Sequence, residues 1–200
     1  MKQIESIFTT TYDNNLWKGS ESKSGPGSNF NNNIKLLKIL EEFVIQNDIK
    51  SILDVGCGDF NWMKHFNFNL IDKYLGIDVV KSVIANDCNT YCTDKIHFEH
   101  HNIIEHNLPT FDLVISKDVL VHLSYNDSLQ VLSNIKNSNC KFFVSTSFAG
   151  FENYDILSGQ WRPINLITEP FNLGEPLFYH HNIEDKKEGW TTKGIGIWKL

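Results

Sequence analysis

Arginine is nearly missing from this chain: of 18 basic residues, 17 are lysine and one is Arg162. A basic surplus is missing as well, since 24 acidic residues leave a formal net charge of −6. Without excess positive charge a chain has little with which to replace the counterions of a nucleic acid or to hold an anionic lipid surface. Neither nucleic acid nor membrane is therefore expected as a partner. No apolar run approaches the ~20 residues of a membrane span, and the start Met1-Lys2-Gln3-Ile4-Glu5 does not read as a secretory leader. The four cysteines, Cys57, Cys88, Cys92 and Cys140, form no paired C-x-x-C knuckles. They are expected as free thiols of a cytoplasmic protein.

What is present suits one globular domain over residues 1–200. A chain of this size buries roughly 70% of its unfolded surface and needs no disulfide or metal staple. Its 14 Phe, 5 Trp and 6 Tyr supply a dense core. The first thirty residues read as a polar, loop-like lid segment with a turn at Ser24-Gly25-Pro26-Gly27-Ser28. Ser28 is the expected N-cap of a helix over 31–47, where Leu36, Leu37, Leu40, Phe43 and Val44 recur at helical spacing.

Short apolar runs then alternate with helical patterns. Strands are predicted over 51–55, 74–77, 95–99, 111–116 and 141–146, with helices starting near Val79 and after a capping box at Ser124-x-x-Asp127. The second of these helices places Leu129, Leu132 and Ile135 on one side. The rhythm is that of a doubly wound, right-handed α/β sheet. Residues 149–176 contain three glycines and three prolines, too many breakers for a helix. Their aromatics Phe151, Tyr154, Trp161 and Phe171 argue for a packed, functional insertion. Leu177–His181 and Gly194–Leu200 read as a closing pair of strands.

Ligands of open α/β sheets bind beyond the carboxyl ends of the strands. The first such loop is Asp54-Val55-Gly56-Cys57-Gly58-Asp59-Phe60. Two glycines permit close backbone approach, but a dinucleotide fingerprint would carry a third glycine where Asn61 stands, followed by Trp62. Asp54 and Asp59 would repel a pyrophosphate and attract an ammonium or sulfonium. Asp78, ending the second strand, stands where an acidic side chain accepts from ribose hydroxyls. The set favours a positively charged nucleoside over NAD.

Ile52–Gly58, Gly76-Ile77-Asp78 and Phe111–Ser116 together resemble a class I S-adenosylmethionine-dependent methyltransferase over roughly residues 30–147. The resemblance implies a Rossmann-like seven-stranded sheet with an antiparallel final strand and an N-terminal helical cap. It implies S-adenosyl-L-methionine as cofactor, held by Asp54, Gly56, Cys57, Gly58, Trp62, Asp78, Asn102, Ile103 and Ser116. The family usually has Asp where Asn102 stands, an exchange that weakens the acceptor for the adenine amino group. Ser24–Ser28, Gly58–Met63, Lys117–Leu123 and Gly159–Leu166 are similar to a narrower bacterial group of glycan- or capsule-associated small-molecule methyltransferases. The Ser24–Ser28 turn is either a connector or closes over the cofactor carboxylate or the acceptor with its backbone amides.

Methyl transfer needs alignment and a dry pocket, and needs a base only when the acceptor must lose a proton. Asp118 and His122 lie four apart, on one face if that turn is helical. His122 is either the base for a hydroxyl acceptor, assisted by Asp118, or a packing residue at the cofactor's edge. Arg162, beside Trp161, either recognises an anionic acceptor together with Lys117 or stacks on Trp161 while paired to a carboxylate. The acceptor class this suggests is a phosphorylated or nucleotide-activated sugar, or a capsule phosphoramidate-type group. Metal binding is not expected, because strand spacing scatters His97, His100, His101 and His106 with Glu99 and Glu105 over both faces. His180-His181 are a poor ligand pair for the same reason. Cys57, among carboxylates, is not an activated nucleophile. The rival readings are an NAD-linked oxidoreductase and a non-catalytic partner protein on the same fold. Oligomeric state is not legible.

Overall fold

The computed structural model describes residues 2–181 and 192–200. Its elements are α1 (Lys2–Asp13), α2 (Phe30–Gln46), β1 (Ser51–Val55), β2 (Lys73–Asp78), α3 (Lys81–Tyr91), β3 (Ile96–His100), β4 (Leu113–Ser116), α4 (Tyr125–Asn137), β5 (Phe142–Phe148), β6 (Phe178–His181) and β7 (Lys193–Lys199). The strands form a seven-stranded sheet in the order β3-β2-β1-β4-β5-β7-β6. The fold is the expected Rossmann-like one, with a mixed sheet whose last strands run antiparallel. By its internal contacts the chain divides into two compact units, residues 1–103 and 104–200.

In the first unit, β1, β2 and β3 pair in parallel, with Val55 opposite Ile77 and Asp78 opposite His100. Parallel strands need crossovers, and α3 supplies the one between β2 and β3. The apolar stripe of α2 is buried through Leu36, Leu37, Leu40 and Val44, as its spacing required. Its N-cap is Asn29 and not the expected Ser28, which closes the short 3-10 turn Pro26–Ser28 instead. The lid segment also differs from its loop-like reading, since residues 2–13 form a helix. Its apolar side chains Ile4, Ile7 and Phe8 recur at i, i+3 and i+4, a stripe too short to stand out.

The core of this unit is aromatic. Phe60 sits directly after the glycine loop at φ +57°. Its ring centroid lies 5.0 Å from Phe98, 5.2 Å from Tyr91 and 5.3 Å from Tyr74. Gly76 in β2 is there for space: a Cβ would approach the Phe98 ring to 2.7 Å and the Cys57 sulfur to 3.0 Å.

In the second unit, β4 and β5 pair in parallel and β7 lies antiparallel between β5 and β6. Every residue of β5 is buried. The N-cap of α4 is Ser124, whose hydroxyl accepts from the Asp127 amide. The expected box closes through a third residue: Ser158 Oγ accepts from the Ser124 amide and donates to the Asp127 carboxylate. Val131, Leu132 and Ile135 face the core, whereas Leu129, expected with them, is 39% exposed.

Residues 149–176 contain no helix or strand, yet they pack. Ile164, Leu166 and Phe171 are buried, while Tyr154 and Trp161 are largely on the surface. Asn153 ties the segment together, donating to the Asn165 and Glu169 carbonyls and accepting from the Asn165 amide.

Because Phe60 joins the glycine loop to the aromatic core, Phe60→Ala is expected to lower the unfolding free energy by about 3–5 kcal/mol. A fall in the urea midpoint at unchanged slope would measure it.

Candidate functional site

The first group of expected site residues surrounds the glycine loop. The Gly56 and Cys57 amides both donate to the Ile77 carbonyl, at 2.8 and 3.1 Å, so the loop turns back over β2. Asp78 receives that turn: its Oδ2 accepts from the Gly58 amide at 3.0 Å and its Oδ1 from the Val80 amide at 2.9 Å. Burial raises the Asp78 carboxyl from its usual range, against the lowering pull of its backbone hydrogen bonds. Asp54 is buried, and its Oδ2 accepts from the Tyr74 hydroxyl at 2.8 Å. Trp62 and Asn102 are buried and Ile103 is half-buried. Asn61, at the place of a third glycine, turns away from the loop, donating to Glu21 and to the Ser28 carbonyl.

The loop sits in a negative field. Burial raises the Cys57 thiol well above its usual value, and Asp78, Asp54 and Asp87 push it further. Burial and the neighbouring carboxylates both favour the protonated thiol. Burial likewise raises the Tyr12 hydroxyl, with Asp59, Asp87 and Asp78 adding to the effect. Asp87 was not singled out by sequence, since one polar position on a weakly amphipathic helix carries no signal. It is fully buried, its Oδ2 has no hydrogen-bond partner among the described residues, and desolvation raises its carboxyl to about 7.

The second group lies in residues 104–200. Ser116 is fully buried at the end of β4, and its hydroxyl finds no partner among the described residues. Asp118 and His122 do not share a helical face. Asp118 adopts φ +57°, and only Leu120–His122 form a 3-10 turn. The Asp118 carboxylate is gripped by Lys117 Nζ at 2.8 Å, Lys193 Nζ at 3.1 Å and Thr146 Oγ1 at 2.8 Å. Burial works to raise this carboxyl, but the Lys117 and Lys193 ammonium groups outweigh it and hold it well below the usual range. A carboxylate so held does not itself take a proton, and its hydrogen-bonded partners are Lys117, Lys193 and Thr146 rather than a shared helical face with His122. Lys193 and Thr146 come from distant strands, and nothing in their sequence surroundings pointed to the cluster.

His122 Nδ1 lies 3.0 Å from the Gln160 carbonyl. A carbonyl only accepts, so Nδ1 carries the hydrogen and the basic lone pair is on Nε2. Burial lowers the ring below its ordinary value of 6.5, although the Gln160 bond and Asp118 pull the other way. The imidazole is therefore neutral at neutral pH.

Arg162 differs most from its expected place. It is 0% exposed, so it does not present its fork to an acceptor. Its guanidinium lies 5.2 Å from the Tyr125 ring centre, and Nη1 donates to the Leu123 carbonyl at 2.5 Å. Its amide donates to the Val121 carbonyl, as that of Gly159 does to His122. Arginine here pins the 159–162 segment to the turn that carries His122. Trp161 is 40% exposed, with its ring edge-on to Phe148.

His97 and His100 contact the Asp94 and Val79 carbonyls, and among the described residues no three His, Cys, Asp or Glu side chains gather as metal ligands.

Residues 53–139 match the model of a family described as a methyltransferase domain. An S-adenosylmethionine-dependent methyltransferase from Clostridium acetobutylicum ATCC 824 is 14% identical at a TM-score of 0.63, over 98% of this chain and 98% of that one. Magnesium protoporphyrin IX methyltransferase from Synechocystis PCC 6803, solved with bound SAM, is 10% identical at 0.65, over 98% and 97%. The N-methyltransferase NodS from Bradyrhizobium japonicum WM9 is 12% identical at 0.60, over 84% and 98%. No curated protein sequence matches the chain. The chain thus has the fold of these S-adenosylmethionine-dependent methyltransferases, and residues 53–139 are similar to the methyltransferase-domain family.

The residues at the loop fit that cofactor. Each Asp78 oxygen takes one backbone N–H and, as a carboxylate oxygen, keeps acceptor capacity for a ribose hydroxyl. The carboxylates that raise Cys57 and Tyr12 suit a sulfonium and an ammonium and oppose a pyrophosphate.

Asp87 makes this charge measurable. Its carboxyl is raised, so the folded state keeps a proton that the unfolded chain loses near 3.8. Its contribution is therefore lost as pH rises from about 4 to about 7. Asp87→Asn should match the parent in stability at pH 3, gain on it between about pH 4 and about pH 7 and hold that gain above, read from urea unfolding at each pH.

Proposed function

We propose that this chain moves a methyl group from S-adenosylmethionine to a hydroxyl of a small anionic acceptor. A phosphorylated or nucleotide-activated sugar, or a capsule phosphoramidate-type group, is the acceptor class in view. The observation that carries the reading is the His122 tautomer, with Nδ1 committed to the Gln160 carbonyl and the basic lone pair on Nε2.

The cofactor supplies an electrophilic methyl group on a sulfonium. Asp54, Gly56, Cys57, Gly58, Trp62, Asp78, Asn102, Ile103 and Ser116 are the residues assigned to holding it, with Asp78 towards the ribose. His122 Nε2 takes the acceptor's hydroxyl proton as the new bond forms, and its lowered basicity keeps it ready for that at neutral pH. Lys117, assigned to the acceptor, lies with Lys193 against the Asp118 carboxylate. Arg162 and Trp161 contribute through the 159–162 segment, with Arg162 fixing the turn beneath His122.

Labelled-methyl transfer into fractionated cell metabolites and nucleotide sugars tests the reading directly. Label is expected in anionic small molecules, and label found only in protein or nucleic acid would refute it. S-adenosylmethionine and its demethylated product should raise the melting temperature by mass action and NAD should not, an order that the oxidoreductase reading reverses.

His122→Asn is expected to lower kcat by about 10²–10⁴-fold with cofactor affinity kept. The base works unprotonated, so in the parent enzyme kcat/KM should climb with pH through an inflection below 6.5 and stay level above it. Full turnover in the variant would remove His122 from the chemistry.

A further inference from the structure

The turn that the sequence marked at 24–28 is built into the glycine loop. Ser22 is buried, and its Oγ donates to the Asp59 carboxylate, lying 2.8 and 2.7 Å from the two oxygens. The same Oγ accepts from the Ser24 amide at 3.0 Å and has Ser28 Oγ 3.0 Å away. Ser24 Oγ in turn accepts from the Asp59 amide at 3.0 Å. Residue 59 is thus held by side chain and main chain at once, from a segment more than thirty positions upstream.

Gly58 shows how close the contact is. At φ +56° it lies in the left-handed region, and a Cβ there would stand 2.5 Å from Ser24 Oγ and 2.9 Å from Ser24 Cβ. The glycine therefore makes room for Ser24 as well as turning the loop. On its other side the Gly58 amide is held by Asp78. Two adjacent amides of the loop are tied in this way, Gly58 to the strand end and Asp59 to the upstream segment.

A second set of bonds fastens the same segment. Glu21 Oε1 accepts from the Phe30 amide at 2.9 Å and from Asn61 Nδ2 at 2.8 Å. Asn61 Nδ2 also reaches the Ser28 carbonyl at 2.9 Å, and Lys64 Nζ donates to Asn61 Oδ1 at 2.9 Å. The residue that replaces a third glycine thus serves the segment of residues 14–29, a strap between α1 and α2.

We propose that Ser22 and Ser24 are positioning residues: they latch the strap of residues 14–29 onto the glycine loop and so preorganise Gly58 and Asp59 for the cofactor. This rests on the cofactor reading above. A loop fixed in its bound geometry spares the cost of ordering it on binding, so the latch strengthens cofactor binding without touching the reacting atoms. Ser22 acts through the Asp59 carboxylate and Ser24 through the Asp59 amide, which makes their effects separable.

The test begins without ligand. In amide hydrogen exchange on the whole protein, Ser24→Ala and Ser22→Ala should each exchange the Asp59 amide and residues 14–29 at least about tenfold faster, with β5 and α4 unchanged. Calorimetry with S-adenosylmethionine and its demethylated product should then show binding weakened about tenfold, or about 1.4 kcal/mol. In turnover, the loss should lie in the cofactor KM rather than in kcat. Ser22→Thr keeps the hydroxyl and should restore both exchange and affinity. Alanine variants that exchange like the parent would remove the latch. Faster exchange with undiminished affinity would remove its positioning role. A parent protein that binds neither adenosyl ligand would overturn the cofactor reading, and the exchange rates would still decide whether the latch exists.

Discussion

One carboxylate organises the ligand end of the first unit. Asp78 closes β2 and accepts two backbone amides, one from Gly58 in the preceding loop and one from Val80 at the start of α3. Burial makes its charge costly, and those hydrogen bonds offset the cost. The glycine loop, the strand end and the helix start therefore share one acceptor. The aromatic cluster around Phe60 fastens the far side of the same loop. The strap of residues 14–29 meets it from a third direction, where Ser22 and Ser24 take Asp59.

The second unit solves a charge problem of a different kind. Asp118 has an unusual backbone conformation and a buried carboxylate, both of which carry a cost unless partners over-determine them. Two ammonium groups and the Thr146 hydroxyl do so. The arrangement keeps Asp118 ionised, while burial keeps the nearby His122 ring neutral. Arg162, the only arginine, supports that turn from inside through backbone carbonyls.

The sheet was readable in advance because buried parallel strands are short apolar runs bounded by turn residues, as 51–55 and 113–116 are. The acidic glycine loop and Asp78 were readable because the chemistry depends on residue type and spacing. Helix α1 was not, since a partly buried, short stripe hardly differs from a polar loop. Nor were the partners of Asp118: Lys193 and Thr146 stand 75 and 28 positions away, and pairing over such distances follows from strand register alone.

By itself, then, the amino-acid sequence determined the fold class, the charge of the glycine loop and the residue types placed at the strand ends. These depend on local periodicity and on the sign of charges, which any chain carries in its order. The tertiary structure decided which groups work and which are held. It made Asp118 a counter-ion to Lys117 and Lys193, moved Arg162 from the surface into the interior, and joined the 24–28 turn to Asp59. The reason is physical: burial and hydrogen-bond geometry set what a charged side chain can do, and both are properties of packing rather than of sequence position.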